Sequence, residues 1–485
     1  MIYPEVLTIK QLQSKDPDYN DRKSFLEEIE TLFKGGRYIE AQKDRFLLKR
    51  LDEDLELYQL RLKRFVYTNI LSHVISKVLG RFSTGDILVS NLSNSFIESW
   101  QSFRENIDVK GNDEKTFLSN VLKDLLLNQT AIVQIDKPKV EVTPLNRAQE
   151  VSLGLNKAFL VTYKPTELLN SGEGWYKFLV LNQVSTPFGE TYTEAIWRFI
   201  DAEKIVEYKA FVILKDGQIK HLYDPRTSKI IPFTDDVEIP LYSEIAHGFS
   251  SVPVVKLHIS DEQYAAGNAY LKLKQFLNVE NSLTDTALSS GYVQRVLTPI
   301  ERKDDDYSVV VDEVKSDNQH VITANSFKFE EIEGTSIATN MKLLEAIETQ
   351  INNLVCIAAG DTSRSALVRA AASKKMDASD FELFLISYGS LITKFYQNIL
   401  TKVAEALGDR QAVSQVSVSG LNQFDTDDLE TDVAIANSII PIADNLSPTA
   451  LRFFYERISL SLNKTATADM RSTIQQEILM SSPVV

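Results

Sequence analysis

Apolar residues near the start of the chain recur at the spacing of an α-helix. Phe25, Ile29 and Leu32 lie four and three residues apart, which predicts a helix over about 21–34. The glycine pair directly after this stretch favours a helix end there. Residues 1–20 contain two prolines and show no such spacing, so we expect a flexible lead-in.

A longer apolar stripe follows, again in steps of three and four residues. It predicts one continuous helix over about 52–79, with Gly80 as its C-terminal cap. The apolar residues of this stripe are Leu51, Leu55, Tyr58, Leu62, Phe65, Leu71, Val74 and Val78. A further helix is predicted over about 112–127.

The pattern changes between about 129 and 258 to short runs of β-branched and aromatic residues separated by turn residues. Such runs are typical of β-strands. The predicted strands span about 131–135, 159–163, 176–184, 194–200, 205–214 and 219–222, with a last one near 252–257. We expect these strands to form an antiparallel, β-rich unit.

Helical spacing returns in the second half of the chain. The predicted helices span about 261–290, 335–359, 379–407, 447–460 and 466–479. The stretch 292–333 is strand-like and encloses a charged loop at 301–306, and a polar loop occupies 360–373. The helix over 261–290 has few apolar residues for its length, and such a helix is often completed by a neighbouring subunit.

Composition indicates a globular protein with an acidic surface. The 485 residues are 44% apolar and 25% charged, and 52 basic against 67 acidic side chains give a net charge of −15. This balance argues against broad binding to a phosphate backbone, which depends on Lys and Arg.

The single cysteine, Cys356, excludes an intrachain disulfide. With no signal-peptide pattern and no long apolar run, we expect a soluble, cytoplasmic protein.

Motifs for common enzyme chemistry are missing from the sequence. It contains no phosphate-binding loop, dinucleotide-binding glycine motif, zinc-protease motif or serine-hydrolase motif. Its five histidines are not spaced as metal ligands. We interpret Cys356 as a buried thiol rather than a nucleophile, and the acidic runs at 304–306 and 425–428 as solvated loops rather than cation sites. The sequence therefore predicts no enzyme activity, metal or cofactor.

Several stretches, in their order along the chain, resemble a known family. They are LFKGGRY at 32–38, DLELYQLRLKRFVYTN at 54–69, a helix and strand end containing QIDKP at 121–139, SVPVV at 251–255, and a lead-in to a long helix at 329–359. Their order resembles that of tailed-bacteriophage portal (head-tail connector) proteins over about residues 20–480. One departure is Asn128-Gln129-Thr130, where the family often has a glycine.

The resemblance implies an α+β fold with wing, stem, clip and crown regions, built from long helices and an antiparallel β-rich wing. The implied regions are a wing at 1–260 (helical over 20–127, β-rich over 129–258), a stem helix and clip at 261–334, a second stem or tunnel helix with a tunnel loop and a wing helix at 335–405, and a crown at 406–485.

The resemblance also implies a function. Portal proteins form a ring, usually of about twelve subunits, at one vertex of the capsid. DNA enters through the ring during packaging and leaves through it during ejection. The expected partners are further copies of the chain, the major capsid protein, the terminase large subunit, a head-tail connector or adaptor, and double-stranded DNA bound without sequence specificity. The expected location is the capsid vertex of a virion assembled in the host cytoplasm, with no membrane contact.

Two groups of basic residues are candidate contacts under this resemblance. The candidates for meeting the terminase or the connector at the clip are Arg295, Arg302 and Lys303. The candidates for facing DNA in a tunnel loop are Arg364, Arg369, Lys374 and Lys375. For each group the alternative is ordinary solvent exposure, on a hairpin or on a loop between helices. An otherwise acidic channel lets DNA slide, because each phosphate contact would hold it.

Two other function classes stay open at the sequence level. The first is another non-enzymatic phage assembly subunit, such as a baseplate or adaptor protein, which need not form a closed ring with a channel. The second is a carboxylate-dependent hydrolase. It would be supported by a deep pocket that pairs two carboxylates, one of them with a raised pKa.

Overall fold

The computed structural model describes residues 2–138, 157–185, 191–215, 217–224, 227, 229–290, 294–298, 326–330, 335–355, 371–422 and 424. The chain divides into two compact units, Met1–Asn422 and Gln423–Val485. All the elements given below belong to the first unit.

Helices occur both before and after the β-rich region. The helices of the described ranges are α1 (Ile9–Leu12), α2 (Tyr19–Lys34), α3 (Gly36–Glu40), α4 (Lys43–Phe46), α5 (Leu55–Lys63), α6 (Ile70–Phe82), α7 (Ile97–Glu105), α8 (Glu114–Asn128), α9 (Ala265–Ser290), α10 (Thr335–Leu354), α11 (Ala371–Leu407) and α12 (Arg410–Gln415). No helix within these ranges combines the length and the apolar character that crossing a membrane requires.

Strands fill most of the middle of the chain. They are β1 (Val6–Thr8), β2 (Ile87–Ser90), β3 (Thr130–Asp136), β4 (Phe159–Tyr163), β5 (Leu168–Gly172), β6 (Trp175–Ser185), β7 (Thr191–Ile200), β8 (Lys204–Lys215), β9 (Gln218–Asp224), β10 (Lys229–Pro232), β11 (Glu238–Ala246), β12 (Val254–His258), β13 (Gln294–Thr298), β14 (Ser326–Glu330) and β15 (Ser417–Gly420). Together with the helices they make a mixed, α+β fold, as predicted.

The strands form four antiparallel sheets. The largest has the order β1-β11-β8-β7-β6-β5, with β9 paired to β8 and β10 paired to β9. A second sheet has the order β12-β3-β4, and the two smallest are β13-β14 and β15-β2. The antiparallel prediction for the middle region is therefore confirmed, while β2, β5, β10 and β11 were absent from it.

An apolar core joins the two larger sheets. It contains Ile132, Tyr163 and Phe178, all buried. A polar chain crosses the same layer: Arg198 donates to the hydroxyl of Tyr163 at 2.5 Å, and that hydroxyl donates to Gln134 at 2.5 Å. These buried polar groups are satisfied by each other, which fixes one arrangement of the sheets.

The prediction of a flexible lead-in at 1–20 is wrong. Residues 6–8 form β1 on the edge of the largest sheet, and Ile9 and Leu12 are fully buried against it. The ammonium group of Lys177 donates to the backbone oxygens of Gln11 at 2.7 Å and Ser14 at 3.0 Å. Tertiary burial orders this segment even though its local sequence carries no strong helix or strand pattern.

The single helix predicted over about 52–79 is also wrong: it is two helices, α5 and α6, separated by residues 64–69. Asn69 caps α6 by accepting a hydrogen bond from the amide of Ser72 at 3.0 Å. The side chain of Asn281 binds the amide and the carbonyl of Val66, at 3.0 and 2.9 Å. A helix cap and a distant side chain together outweigh the apolar periodicity.

Gly80 is not a C-terminal cap, because α6 continues to Phe82. Residues with a positive φ angle end two other helices, α2 and α8. Gly35, after α2, adopts φ 56°, and Gln129, after α8, adopts φ 62°. Gln129 is thus a non-glycine residue in a left-handed conformation that glycine adopts at lower cost.

The long C-terminal helix α11 closes the core of this unit. Tyr388, Phe395 and Val403 of the predicted apolar face are buried. The helix packs against α8, β3, β12 and β15. It begins at Ala371, earlier than the predicted start near 379. After it, β15 pairs with β2, so residues 417–420 belong to the first unit.

Candidate functional site

Residues 265–290, 294–298, 326–330 and 335–354 form a helix, two paired strands and a second helix. The chain runs along α9, enters β13, returns along β14 and continues into α10. The two strands pair only with each other among the described strands. The two helices pack against each other, and α10 makes its main contacts with α9. We name these residues the arm.

A polar stripe on one face of α9 fixes the arm to the N-terminal helices. Its members lie three or four residues apart and are Tyr270, Lys274, Asn278, Asn281 and Asp285. Asn278 accepts from the amide of Leu48 at 2.9 Å and donates to the carbonyl of Phe46 at 3.0 Å. The neighbouring residue Glu280 accepts from the amide of Thr68 at 3.1 Å.

A buried ion group lies at the far end of this stripe. Arg61 pairs with Glu53 at 2.8 Å and with Asp285 at 3.1 Å, and its side chain is only 5% exposed. Arg50 reaches the same Asp285 carboxylate at 3.2 Å. Charges this buried require fixed partners, so the group holds α5 and α9 in one relative position.

The thin apolar stripe of α9 is therefore supplemented within its own chain. Amide and carboxylate side chains of α9 bind backbone groups of residues 46–68. Completion of this helix by a neighbouring subunit stays a prediction beside these contacts. A search for apolar periodicity alone misses polar contacts of this kind, although the sequence shows the spacing of Asn278 and Asn281.

The hairpin at the end of the arm carries one of the candidate clip residues. Arg295 lies in β13 at the register position opposite Phe329 of β14. Residues directly opposite in an antiparallel pair share a face, so Leu297 and Phe327 lie on the same face as Arg295. The other clip candidates, Arg302 and Lys303, lie outside the described residues.

Of the four tunnel-loop candidates, two lie outside the described residues and two lie in α11. Arg364 and Arg369 lie outside the described residues. Lys374 and Lys375, placed in or beside a loop ending near 373, are in the first turns of α11, because that helix begins at Ala371. The backbone thus places these two lysines on a helix.

Two carboxylates of the described residues, Asp124 and Glu167, have raised pKa values. Burial raises the pKa of Asp124 on α8 to about 6. Lys123, Asn128 and Lys164 lower this pKa, but burial has the larger effect. Burial also raises the pKa of Glu167, against a hydrogen bond from the amide of Lys164. Asp124 lines neither of the cavities described next, whereas Glu167 lines the smaller one.

Two cavities adjoin β4. One of about 540 Å³ is lined in part by Asp136, Glu167 and Arg198. The other, of about 730 Å³, is mostly apolar and lies between α7 and β4. Asp136 accepts hydrogen bonds from the amide of Lys137 at 2.8 Å and from Gln134 at 3.3 Å, and Glu167 accepts one from the amide of Lys164 at 2.8 Å. Both carboxylates are thus engaged in holding local backbone.

Metal ligands are not clustered in the described part of the chain: no group of three His, Cys, Asp or Glu residues there is placed to hold an ion. Cys356 lies outside the described ranges. His258 hydrogen-bonds Thr130 at 2.8 Å, and His247 bonds the carbonyl of Asp201 at 2.9 Å. These two histidines therefore have structural partners.

Comparison with known proteins gives structural neighbours but no sequence relative. No family model matches the chain, and no curated protein is similar to it in sequence. One solved chain from the neck of an empty gene transfer agent particle, computed with C6 symmetry, has 9% identity and a TM-score of 0.42, covering 84% of this chain and 94% of that one.

A chain from the virion of a native gene transfer agent particle has the same identity and coverage at a TM-score of 0.35. Both TM-scores lie below 0.5.

Proposed function

We propose that this protein is a phage portal protein: a ring at one capsid vertex through which DNA is packaged and ejected. It would sit in the virion after assembly in the host cytoplasm. The observation that carries the proposal is the arm. A helix, a hairpin and a returning helix occupy the positions that the sequence resemblance assigns to stem and clip.

The arm is fixed at one end and, within the described ranges, has unpaired strand edges at the other, and a channel wall built from several copies needs both features. Its root is fixed by the polar stripe of α9 and by the ion group around Arg61, which is 5% exposed at the side chain. Its hairpin pairs with no third strand among the described strands, and a two-stranded hairpin alone is only marginally stable. In a ring, neighbouring copies would supply the missing contacts.

The charge of the chain suits a conduit. At −15 per subunit, a ring of about twelve copies is strongly negative and repels the phosphate backbone. A duplex of any sequence can then pass without being held. Base readout has no role in such a channel, because all sequences must be transported.

The partners follow from the same proposal. The hairpin containing Arg295, with Arg302 and Lys303 beyond it, would meet the terminase large subunit during packaging and the head-tail connector afterwards. Arg364, Arg369, Lys374 and Lys375 would approach DNA at the tunnel. The remaining surface of the first unit would contact the major capsid protein, and residues 406–485 would form the crown.

The two alternatives are weaker. A baseplate or adaptor subunit would share the acidic surface and the missing motifs, but it would have no need of the arm. A hydrolase would use the cavity containing Asp136 and Glu167, yet each of these carboxylates accepts a hydrogen bond from a nearby amide, that of Lys137 and that of Lys164 respectively. We do not propose an enzyme.

Purified protein tests the proposal by light scattering and negative-stain microscopy. We expect particles of about twelve times 54.8 kDa with a central hole. A baseplate or adaptor assembly without a closed ring would contradict the proposal. Scaffold and capsid proteins should be co-expressed if the isolated chain stays monomeric, and a ring must then appear.

A further inference from the structure

The exposed side of α5 carries leucines among polar residues such as Glu56 and Gln59. The inward face of α5 buries Arg61 and Leu62. Leu57 and Leu60 point away from that face and are 48% and 40% exposed, and Leu51 just before the helix is 94% exposed. Exposed leucines at this density mark an interaction surface.

Cations border these leucines at the C-terminal end of α5. Lys63 and Arg64 follow Leu60 by three and four residues, so they lie beside it on the same side of the helix. Both side chains are exposed, and neither forms an ion pair with another residue of the described ranges.

The arm carries a face of opposite charge on α10. Met341 is 52% exposed, while Ile347 and Ile351 on the other side of the helix are buried. Glu345 and Glu348 follow Met341 by four and seven residues and are exposed on the same side. These two glutamates likewise have no ion-pair partner in the part of the chain that the structure describes.

We propose that α5 of one copy packs against α10 of the next copy. Leu57 and Leu60 would cover Met341, and Lys63 and Arg64 would face Glu345 and Glu348. The occupant is a second copy because the two faces complement each other in charge and in apolar character and belong to the same chain. This inference rests on the proposed ring and names the contact that closes it.

The geometry of the two faces is compatible. Along its helix Leu60 lies about 4.5 Å from Lys63 and Met341 lies about 6 Å from Glu345, so each apolar side chain has a charged neighbour about one turn away. The two faces are different surfaces, so the contact is heterologous. Heterologous contacts join copies head to tail and close into a ring when the rotation permits.

Charge reversal tests the contact. We expect Lys63→Glu with Arg64→Glu to lower the ring fraction at least tenfold by native mass spectrometry, and Glu345→Lys with Glu348→Lys to do the same. Combining all four changes should restore rings. The matched control is Lys215→Glu with Lys220→Glu on the large sheet, where both lysines are exposed and rings should persist.

A cysteine pair provides a second test that does not depend on ring yield. With Cys356→Ser, the variant Leu60→Cys with Met341→Cys should give a ladder of disulfide-linked oligomers, and either cysteine alone should give at most dimers. The absence of a ladder would overturn the contact.

The outcomes separate the two claims. Rings that survive both reversals, or reversals that the fourfold variant fails to rescue, would overturn this contact and leave the ring intact. A wild-type chain that forms only dimers or tetramers, with capsid proteins present, would overturn the ring itself. Thermal unfolding of each variant distinguishes lost assembly from lost folding.

Discussion

At Gln129 tertiary contacts stabilise a backbone conformation that the residue would not adopt by itself. Gln129 adopts a left-handed conformation that costs a non-glycine residue about 1 kcal/mol. Its side chain donates to the carbonyl of Ile259 at 3.0 Å and to Asp261 at 2.7 Å. These contacts offset the backbone cost and connect the end of α8 to the start of the arm.

Asp124 gives a pH dependence whose sign follows from its environment. Burial raises its pKa from 3.8 to about 6. The folded state therefore binds this proton more tightly than the unfolded state. Between about pH 4 and pH 6 this group's contribution to stability falls as pH rises, and above pH 6 the loss is complete.

Replacing Asp124 by Asn should therefore stabilise the protein at pH 7.5, by about 3 kcal/mol in the free energy of unfolding. The gain should vanish near pH 4, where the wild-type carboxyl is protonated. Urea unfolding at the two pH values measures the difference. Glu173→Gln, at an exposed turn, serves as the control, and equal effects of the two variants would refute the assignment.

At the scale of elements, sequence periodicity located most helices and strands but not their interruptions. The predicted ranges for α2, α8, β3, β4 and β6–β9 agree closely with the structure. The break between α5 and α6 has one local signal, the N-cap Asn69, and one contact that no local pattern shows, from Asn281 more than two hundred residues away. No local pattern shows β1 either, because β1 is ordered by its pairing with β11.

The candidate site was predictable in outline only. The helix–hairpin–helix order of the arm follows from the sequence pattern, and its polar root does not, because amide-to-backbone contacts leave no periodic apolar signal. The basic residues were named from the family resemblance. Of these, the structure describes the backbone of Arg295, Lys374 and Lys375.

The root of the arm can be tested at Asn281. Asn281→Ala leaves the amide and carbonyl of Val66 without the partners they now have. We expect a loss of about 2 kcal/mol in the free energy of unfolding and faster hydrogen exchange at residues 64–69. Gln275→Ala, exposed on the same helix, should change stability by at most about 0.5 kcal/mol. Similar losses of unfolding free energy for both variants would argue against a special role for the contact between Asn281 and Val66.

The exit of the chain from the first unit depends on Gly389. A Cβ at this position would lie 1.9 Å from the backbone oxygen of Leu421, so residues 420–422 cross α11 without spare room. Gly389→Ala should cost at least about 2 kcal/mol and loosen β15, seen as lost exchange protection.

Gly80 offers a matched control for that substitution. It also lies within a helix, but no atom is within 4 Å of its added Cβ. Gly80→Ala should leave stability unchanged or raise it by up to about 1 kcal/mol. A Gly389→Ala variant as stable as Gly80→Ala would show that the crossing is not tight.

At the scale of the whole molecule, the acidic charge and the unpartnered faces fit an assembly. A net charge of −15 opposes association, so the contacts between copies must combine apolar burial with local pairs of opposite charge. The α5 and α10 faces have this composition. Assembly should therefore weaken at high salt only in part, since the apolar component remains.

A cryo-electron microscopy reconstruction of the assembled protein tests the central claim most directly. The proposal predicts a closed ring of about twelve copies with an open axial channel, and with the α9–α10 pairs of the arms arranged around that channel. A closed assembly without a channel, or a ring whose arms point outward away from the axis, would contradict it.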